Sequence, residues 1–309
     1  MNHCRKILLF LTIFSFVGCV SEYVPEPTEF HHKLVVIAEL EADVAPEFIV
    51  STTYNLDSEP LVLKEGNTTV EVFDTQNFGE ANAFRQNKVG DIKWNPPGQF
   101  IPRSGKEYSL VVNISDPSMD MLPVEGLTMI PESGDFANLE AVTYNQSNNF
   151  TQFNIGFSLD TPPDSNNFYH VIPFIRVGAV DFPLEIDKIT EGINGSYVLS
   201  HRDGMLIDLT RLDESNSLKF RAKSLAPVNI SQIDNPRMFY KLKTVTPEYF
   251  YYHQNISQSN LTNLGPFTLP LLTYSQFIDE NATSPNAEPI GYGVFSAVSS
   301  VERSVEIIK

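Results

Sequence analysis

The chain has 309 residues and a formal net charge of −17, with 42% hydrophobic and 19% charged residues. That composition places it among globular proteins able to bury a core, with room for one large or two medium domains. The acidic balance argues against nucleic acid, whose binders concentrate Lys and Arg, and against electrostatic adhesion to anionic lipid. A diffuse acidic surface of this kind more often keeps a protein soluble than binds calcium.

Cysteine occurs at Cys4 and Cys19. Residues 1–18, MNHCRKILLFLTIFSFVG, place basic Arg5-Lys6 before the apolar run Ile7 to Val17 and end on Gly18. This is the tripartite pattern of a secretory signal peptide. An apolar run of 11 residues rises only ~16 Å as a helix, too short for a hydrocarbon core of ~30 Å. Phe16-Val17-Gly18-Cys19 resembles a bacterial lipobox, although Phe16 replaces the usual Leu. The resemblance implies cleavage between Gly18 and Cys19, a diacylglyceryl thioether on Cys19, and acylation of the new amine by a chain such as palmitate. Several acyl chains anchor a protein stably where one does not. Val20, where Asp would retain a lipoprotein in the inner membrane, fits outer-membrane delivery. The alternative is an ordinary signal peptide in which Cys19 has no role. Loss of Arg5 and Lys6 moves the charge from −17 to −19. With Cys4 gone, the mature chain has no intrachain disulfide. Thiolate catalysis in the body, cysteine-ligated zinc and iron–sulfur clusters are excluded with it.

Residues 19–32 then read as a lipidated tether, acidic and proline-bearing (SEYVPEPTEFHH). From Lys33 the pattern changes to alternation. KLVVIAELEA, TTVEVFD and EYSLVVNIS are strand signals, separated by the Pro/Gly turns NPPGQF and PRSGKEY. Short strands at this spacing predict an immunoglobulin-like β-sandwich over residues 33–120. The proline- and glycine-bearing segment 116–136 marks the boundary to a second β-rich domain, residues 121–309. Its strands include FTQFNIGFSLD, FYHVIPFIRV and MFYKLKTV, with Pro173 implying an edge or a bulge. One short helix is predicted, with Thr246 as N-cap, Pro247 at N1 and Glu248 in the first turn. GYGVFSAVSSVERSVEI reads as a terminal strand pair. The fold class is mainly β.

Taken in order, the lipobox at Cys19, KLVVIAEL, PRSGKEYSLVV, LTMIPES, the PEYFYYHQN helix and IGYGVFSAVSS resemble domain-of-unknown-function family 4249, lipoproteins of Bacteroidota. In this chain Arg103-Ser104-Gly105-Lys106 replaces the usual Pro-Gly before the Tyr strand. The resemblance implies a lipid-anchored outer-membrane protein, on the periplasmic or the cell-surface face. It further implies a non-catalytic accessory or ligand-binding subunit of a TonB-dependent nutrient-uptake system, with an outer-membrane receptor as partner. It supplies no ligand.

No catalytic residues, metal ligands or cofactor are predicted from motifs. His201-Arg202-Asp203 resembles a kinase catalytic loop, but the Gly-rich loop and strand lysine that reading requires are absent. His31-His32 on an extended tether point apart, His170 reads as a core residue, and Asp279-Glu280-Asn281 as a surface loop without EF-hand spacing. Nine Asn-X-Ser/Thr sequons reflect Asn/Ser richness in a chain with a bacterial lipobox. Candidate contacts for a ligand or partner are Trp94 beside Asn95-Pro96-Pro97, and Tyr249 and Tyr252, which share a helix face with His253. Two other function classes stay open. A surface hydrolase of glycans or peptides would need acid pairs distant in sequence. An adhesin or structural envelope module would need an exposed patch.

Overall fold

Alternating Leu34, Val36, Ala38 and Leu40 against half-buried neighbours builds β1 (Leu34–Glu41) with one wholly buried face. The computed structural model describes residues 31–53, 61–77, 81–98, 100–146, 150–160, 168–191, 198–200, 204–209, 217–224, 228–261, 275–277 and 289–308. Leader, Cys19 and the tether through residue 30 lie outside these, as do His201–Asp203 and Asp279–Asn281.

The same two-residue period carries β2 (Phe48–Thr52) and β3 (Thr68–Asp74). The short β4 (Asn82–Ala83), β5 (Arg85–Gln86) and β6 (Lys93–Asn95) precede β7 (Glu107–Ile114). Asp116 caps a 3-10 turn at Pro117–Met119, accepting from the Ser118 amide, before β8 (Val124–Met129). Then follow β9 (Asp135–Gln146), β10 (Thr151–Asp160), β11 (Phe168–Val177), β12 (Val180–Glu191), β13 (Val198–Ser200), β14 (Gly204–Asp208), β15 (Ser217–Ser224) and β16 (Arg237–Val245). A 3-10 turn at Ile230–Gln232 precedes β16, and helix α1 (Pro247–Leu261) and the long β17 (Gly291–Glu306) complete the described elements.

Two sheets result. The smaller runs β4-β3-β7-β8, and the larger, of 13 strands, runs β5-β6-β2-β1-β17-β16-β11-β12-β15-β10-β9, with β14 also pairing β11 and β13 pairing β14. One core lies between Leu34, Val36, Phe48, Trp94 and Phe295 of the large sheet and Val70, Val72, Leu110, Val112 and Val124 of the small one. This packing is sandwich-like. A second core fills the concave side of the remaining strands, around Phe153, Ile155, Val171, Phe220, Met238 and Tyr240. There the sheet curls until edge strand β9 meets the residues after β17: the Thr143 amide donates to Ile308 O at 2.9 Å, and the Ile308 amide to Ala141 O at 3.0 Å. Tyr240 Oη donates across the gap to Glu140 O at 2.6 Å. Burial, and then the Glu140 charge, push the Tyr240 hydroxyl well above its ordinary pKa, so it stays a donor.

Several sequence expectations shift. Residues 291–306 form one strand, not a pair, because it bridges both halves: parallel to β1 from Leu34↔Gly291 to Glu41↔Val298, antiparallel to β16 from Val245↔Val298 to Arg237↔Glu306. The core of the first half draws Phe277, Phe295 and Ala297 from beyond residue 120, and Val124 and Ile130 from the expected boundary segment. Pro173 sits neither at a sheet edge nor in a bulge. On one side β11 pairs without interruption to β16. On the other, its partner changes from β14 at Val171 to β12 at Phe174, and Pro173 falls in that break. Its missing N–H therefore costs no ladder bond there.

Helix α1 begins at Pro247 as expected, with the Phe250 amide donating to Thr246 O. The Thr246 hydroxyl accepts the Ala297 amide at 3.4 Å and ties the helix start to β17. Among the described residues no helix is long and apolar enough to cross a membrane.

Candidate functional site

The aromatic run that opens α1 meets the outer face of the large sheet. Tyr249 and Phe250 pack with Leu206, Val245, Val298 and Phe168. Tyr249 and His170 Nδ1 share a buried hydrogen bond of 2.8 Å, and the His253 ring lies tilted against Tyr249 with centres 4.1 Å apart. Lys243 Nζ lies 5.4 Å from the centre of the Tyr249 ring and pairs with Glu39 Oε1 at 2.9 Å. This cluster fastens the helix to β11, β16 and β1. Tyr249→Phe is therefore expected to lower stability by about 1 kcal/mol, the net worth of one hydrogen bond, measured by urea denaturation. A loss within error would place the hydroxyl in solvent instead.

Burial corrects all three aromatic contact candidates. Tyr249 is 2% exposed and Tyr252 6%, whereas the neighbouring Tyr251, which periodicity did not select, is 44% exposed. Docking of the 249/252/253 face on the sheet turns Tyr251 outward. Trp94 has no exposed surface, because its pairing with Phe48 and Gln86 draws the ring between the sheets. It plugs the core rather than offering a platform. Cys19 and Gly18 lie outside the described residues. His170 is a core residue, as its apolar strand suggests. His32 Nδ1 bonds Thr53 O at 2.7 Å. Among the described residues there is no group of three or more His, Cys, Asp or Glu placed to hold a metal ion.

Beyond the helix, the same outer face carries a ladder of ion pairs. Lys241 pairs with Glu41 at 2.9 Å. Burial pushes the Glu41 carboxyl up, but hydrogen bonds from Ser300 and Lys241 outweigh it and leave the group below its ordinary pKa. Arg176 grips Asp181 Oδ1 at 2.6 Å and Glu302 Oε1 at 2.9 Å, with its guanidinium 4.7 Å from the centre of the Phe239 ring. Hydrogen bonding from Arg176 holds Asp181 below the usual carboxylate range. These charges cross-link neighbouring strands, an arrangement suited to rigidity.

A concave feature lies on the other end of the large sheet. Three antiparallel strands, β9, β10 and β15, set Glu140, Gly156 and Lys219 in one row and Asn138, Ser158 and Ser217 in the next. A groove of about 230 Å³ opens over them. Asn138 Nδ2 donates to Ser158 Oγ at 3.0 Å across its floor. The sequence signal for it is slight: a single glycine inside the alternating FTQFNIGFSLD.

These features define a mainly β protein of two sheets, rigidly cross-linked, with a polar groove and a helix-covered face. The family profile described as "Domain of unknown function (DUF4249)" matches residues 20–304, and the chain belongs to that family. No curated protein matches it. One solved structure is similar at 10% identity over 70% of this chain and 89% of that one, with a TM-score of 0.16. It is described as "Complete structure of manganese lipoxygenase of Gaeumannomyces graminis and partial structure of zonadhesin of Komagataella pastoris". At that score the likeness carries no argument.

Proposed function

We propose that this protein is a lipid-anchored, non-catalytic accessory of a nutrient-uptake system in the outer membrane, binding a ligand or a TonB-dependent receptor. The observation that carries the reading is the Phe16-Val17-Gly18-Cys19 motif behind a basic, short apolar leader. Two further points support it. The family match starts at residue 20, directly after Cys19, and the first strand begins at Leu34. Fourteen residues between them, at most ~3.5 Å each when extended, let the body stand up to ~50 Å from the lipid surface.

A Cys19→Ala variant is expected to lose incorporation of labelled palmitate and to move from the membrane to the soluble fraction. A variant that stays membrane-bound would sink the anchor. Extraction of the intact protein in mild detergent, followed by mass spectrometry of what co-purifies, tests the partner. An outer-membrane receptor is expected, and recovery of none refutes the accessory role.

A further inference from the structure

Five glycines lie within the described strands, at positions 126, 156, 204, 291 and 293. Four have a structural reason. Gly204 and Gly293 adopt φ of +99° and +107°, and an added Cβ would sit 2.1 Å from Val171 O and 1.9 Å from Val36 O respectively. At Gly291 it would meet Val124 Cγ1 at 2.5 Å, and at Gly126 the buried Phe295 Cβ at 3.1 Å. Gly156 differs. Its φ is not left-handed, and the nearest atoms to an added Cβ are the tip of the exposed Glu140 side chain at 3.2 Å and Lys219 Cγ at 3.4 Å. A methyl group there needs only a small swing of a flexible carboxylate.

A glycine inside a strand weakens it and marks a bulge, a bend, or a close approach by a ligand or another backbone. The register shifts of β10 fall at Gln152/Phe153 and Ser158/Leu159 rather than at Gly156, and the atoms nearest an added Cβ there are side chains, which leaves approach by a ligand. Gly156 is the floor of the groove. Around it stand the Asn138 amide, the Ser158 and Ser217 hydroxyls, the Glu140 carboxylate and the Lys219 ammonium. These supply donors and acceptors together, and the opposite charges on the two flanking strands favour neither a cation nor an anion. Those strands are two interstrand spacings apart, about 10 Å, a span that takes one pyranose ring lying on the bare backbone. Carboxylate and amide groups bind adjacent hydroxyls of such a ring through paired hydrogen bonds.

We infer that the trough over Gly156 is a binding site for a neutral sugar residue. The inference deepens the ligand-binding role proposed above, yet depends on neither the anchor nor the receptor. The soluble Cys19→Ala chain should therefore bind as the intact protein does, and binding that survives without a receptor partner separates the two readings.

The test is saturation-transfer NMR on the detergent-solubilised full chain, with the methyl glycosides of glucose, galactose, mannose and N-acetylglucosamine as probes. Transfer to the ring protons of at least one glycoside is expected, with affinity reduced at least about tenfold in Gly156→Val and in Glu140→Gln. Glu71→Gln, on the other sheet, should bind as the parent does. Gly156→Ala should unfold at a higher temperature than the parent, because nothing in the fold needs the glycine. Transfer to no glycoside, or undiminished transfer in both groove variants, would overturn the proposal. So would binding of zwitterionic alanine in place of every glycoside. If Gly156→Val does not fold, Glu140→Gln alone decides the matter.

Discussion

Gly293→Ala is expected to unfold the protein outright or leave it barely stable. Its Cβ would lie 1.9 Å from Val36 O, on the strand that pairs with β17 in parallel register, and the residue would have to hold φ near +107°. The oxygen belongs to backbone in the middle of β1, whose buried face is 0% exposed at Leu34, Val36, Ala38 and Leu40, so it cannot retreat. Overpacking costs about 1–3 kcal/mol and a left-handed non-glycine about as much again, together roughly 2–6 kcal/mol. Domains have only about 5–15 kcal/mol to lose. Gly66→Ala is the control, since nothing lies within 4 Å of its Cβ. The urea midpoints of the two should differ by roughly 1–2 M, for an m-value of about 3 kcal/mol/M, or Gly293→Ala should show no folded baseline. A loss below ~1 kcal/mol would mean that the close approach between β1 and β17 is wrong.

The second large effect belongs to Phe295→Ala. Phe295 is wholly buried, meets Phe48 edge-on at 6.4 Å, and is the ring that Gly126 of the small sheet makes room for. Its removal opens a cavity exactly where the two sheets touch, and truncation of a buried Phe costs about 3–5 kcal/mol. Leu127→Ala, 53% exposed on the outward side of β8, should change stability by less than ~0.5 kcal/mol. Equal effects of the two substitutions would contradict the core described between the sheets.

Strands whose buried face faces a single core were legible in the sequence. β1 and β7 keep a two-residue period, and β10 departs from it only at the buried Gly156, because one face meets the core and the other meets water or a polar neighbour. The start of α1 was legible too, since Pro247 restricts the chain locally. What escaped was non-local. β17 is buried on both faces over residues 293–299, which erases alternation, and no local signal tells that its neighbour is a strand from the opposite end of the chain. β8 lay hidden among prolines because Leu127 and Met129 point outward and mask its period. For the candidate site, helical spacing grouped Tyr249 with Tyr252 correctly but could not say whether that face would meet the sheet or water. The polar row Glu140–Gly156–Lys219 exists only through pairing of three strands distant in sequence. Only the odd glycine hinted at it.

The place of β17 has a consequence for the making of the molecule. A ribosome delivers this strand after both of the strands it joins, yet it stands between them. Until residues 291–306 emerge, β1 has no partner on one flank, β16 has none on the other, and the ring Phe295 is missing from the first core. The growing chain therefore holds two unfinished halves with exposed ladder groups and cannot lock early. Contacts this distant along the chain close slowly.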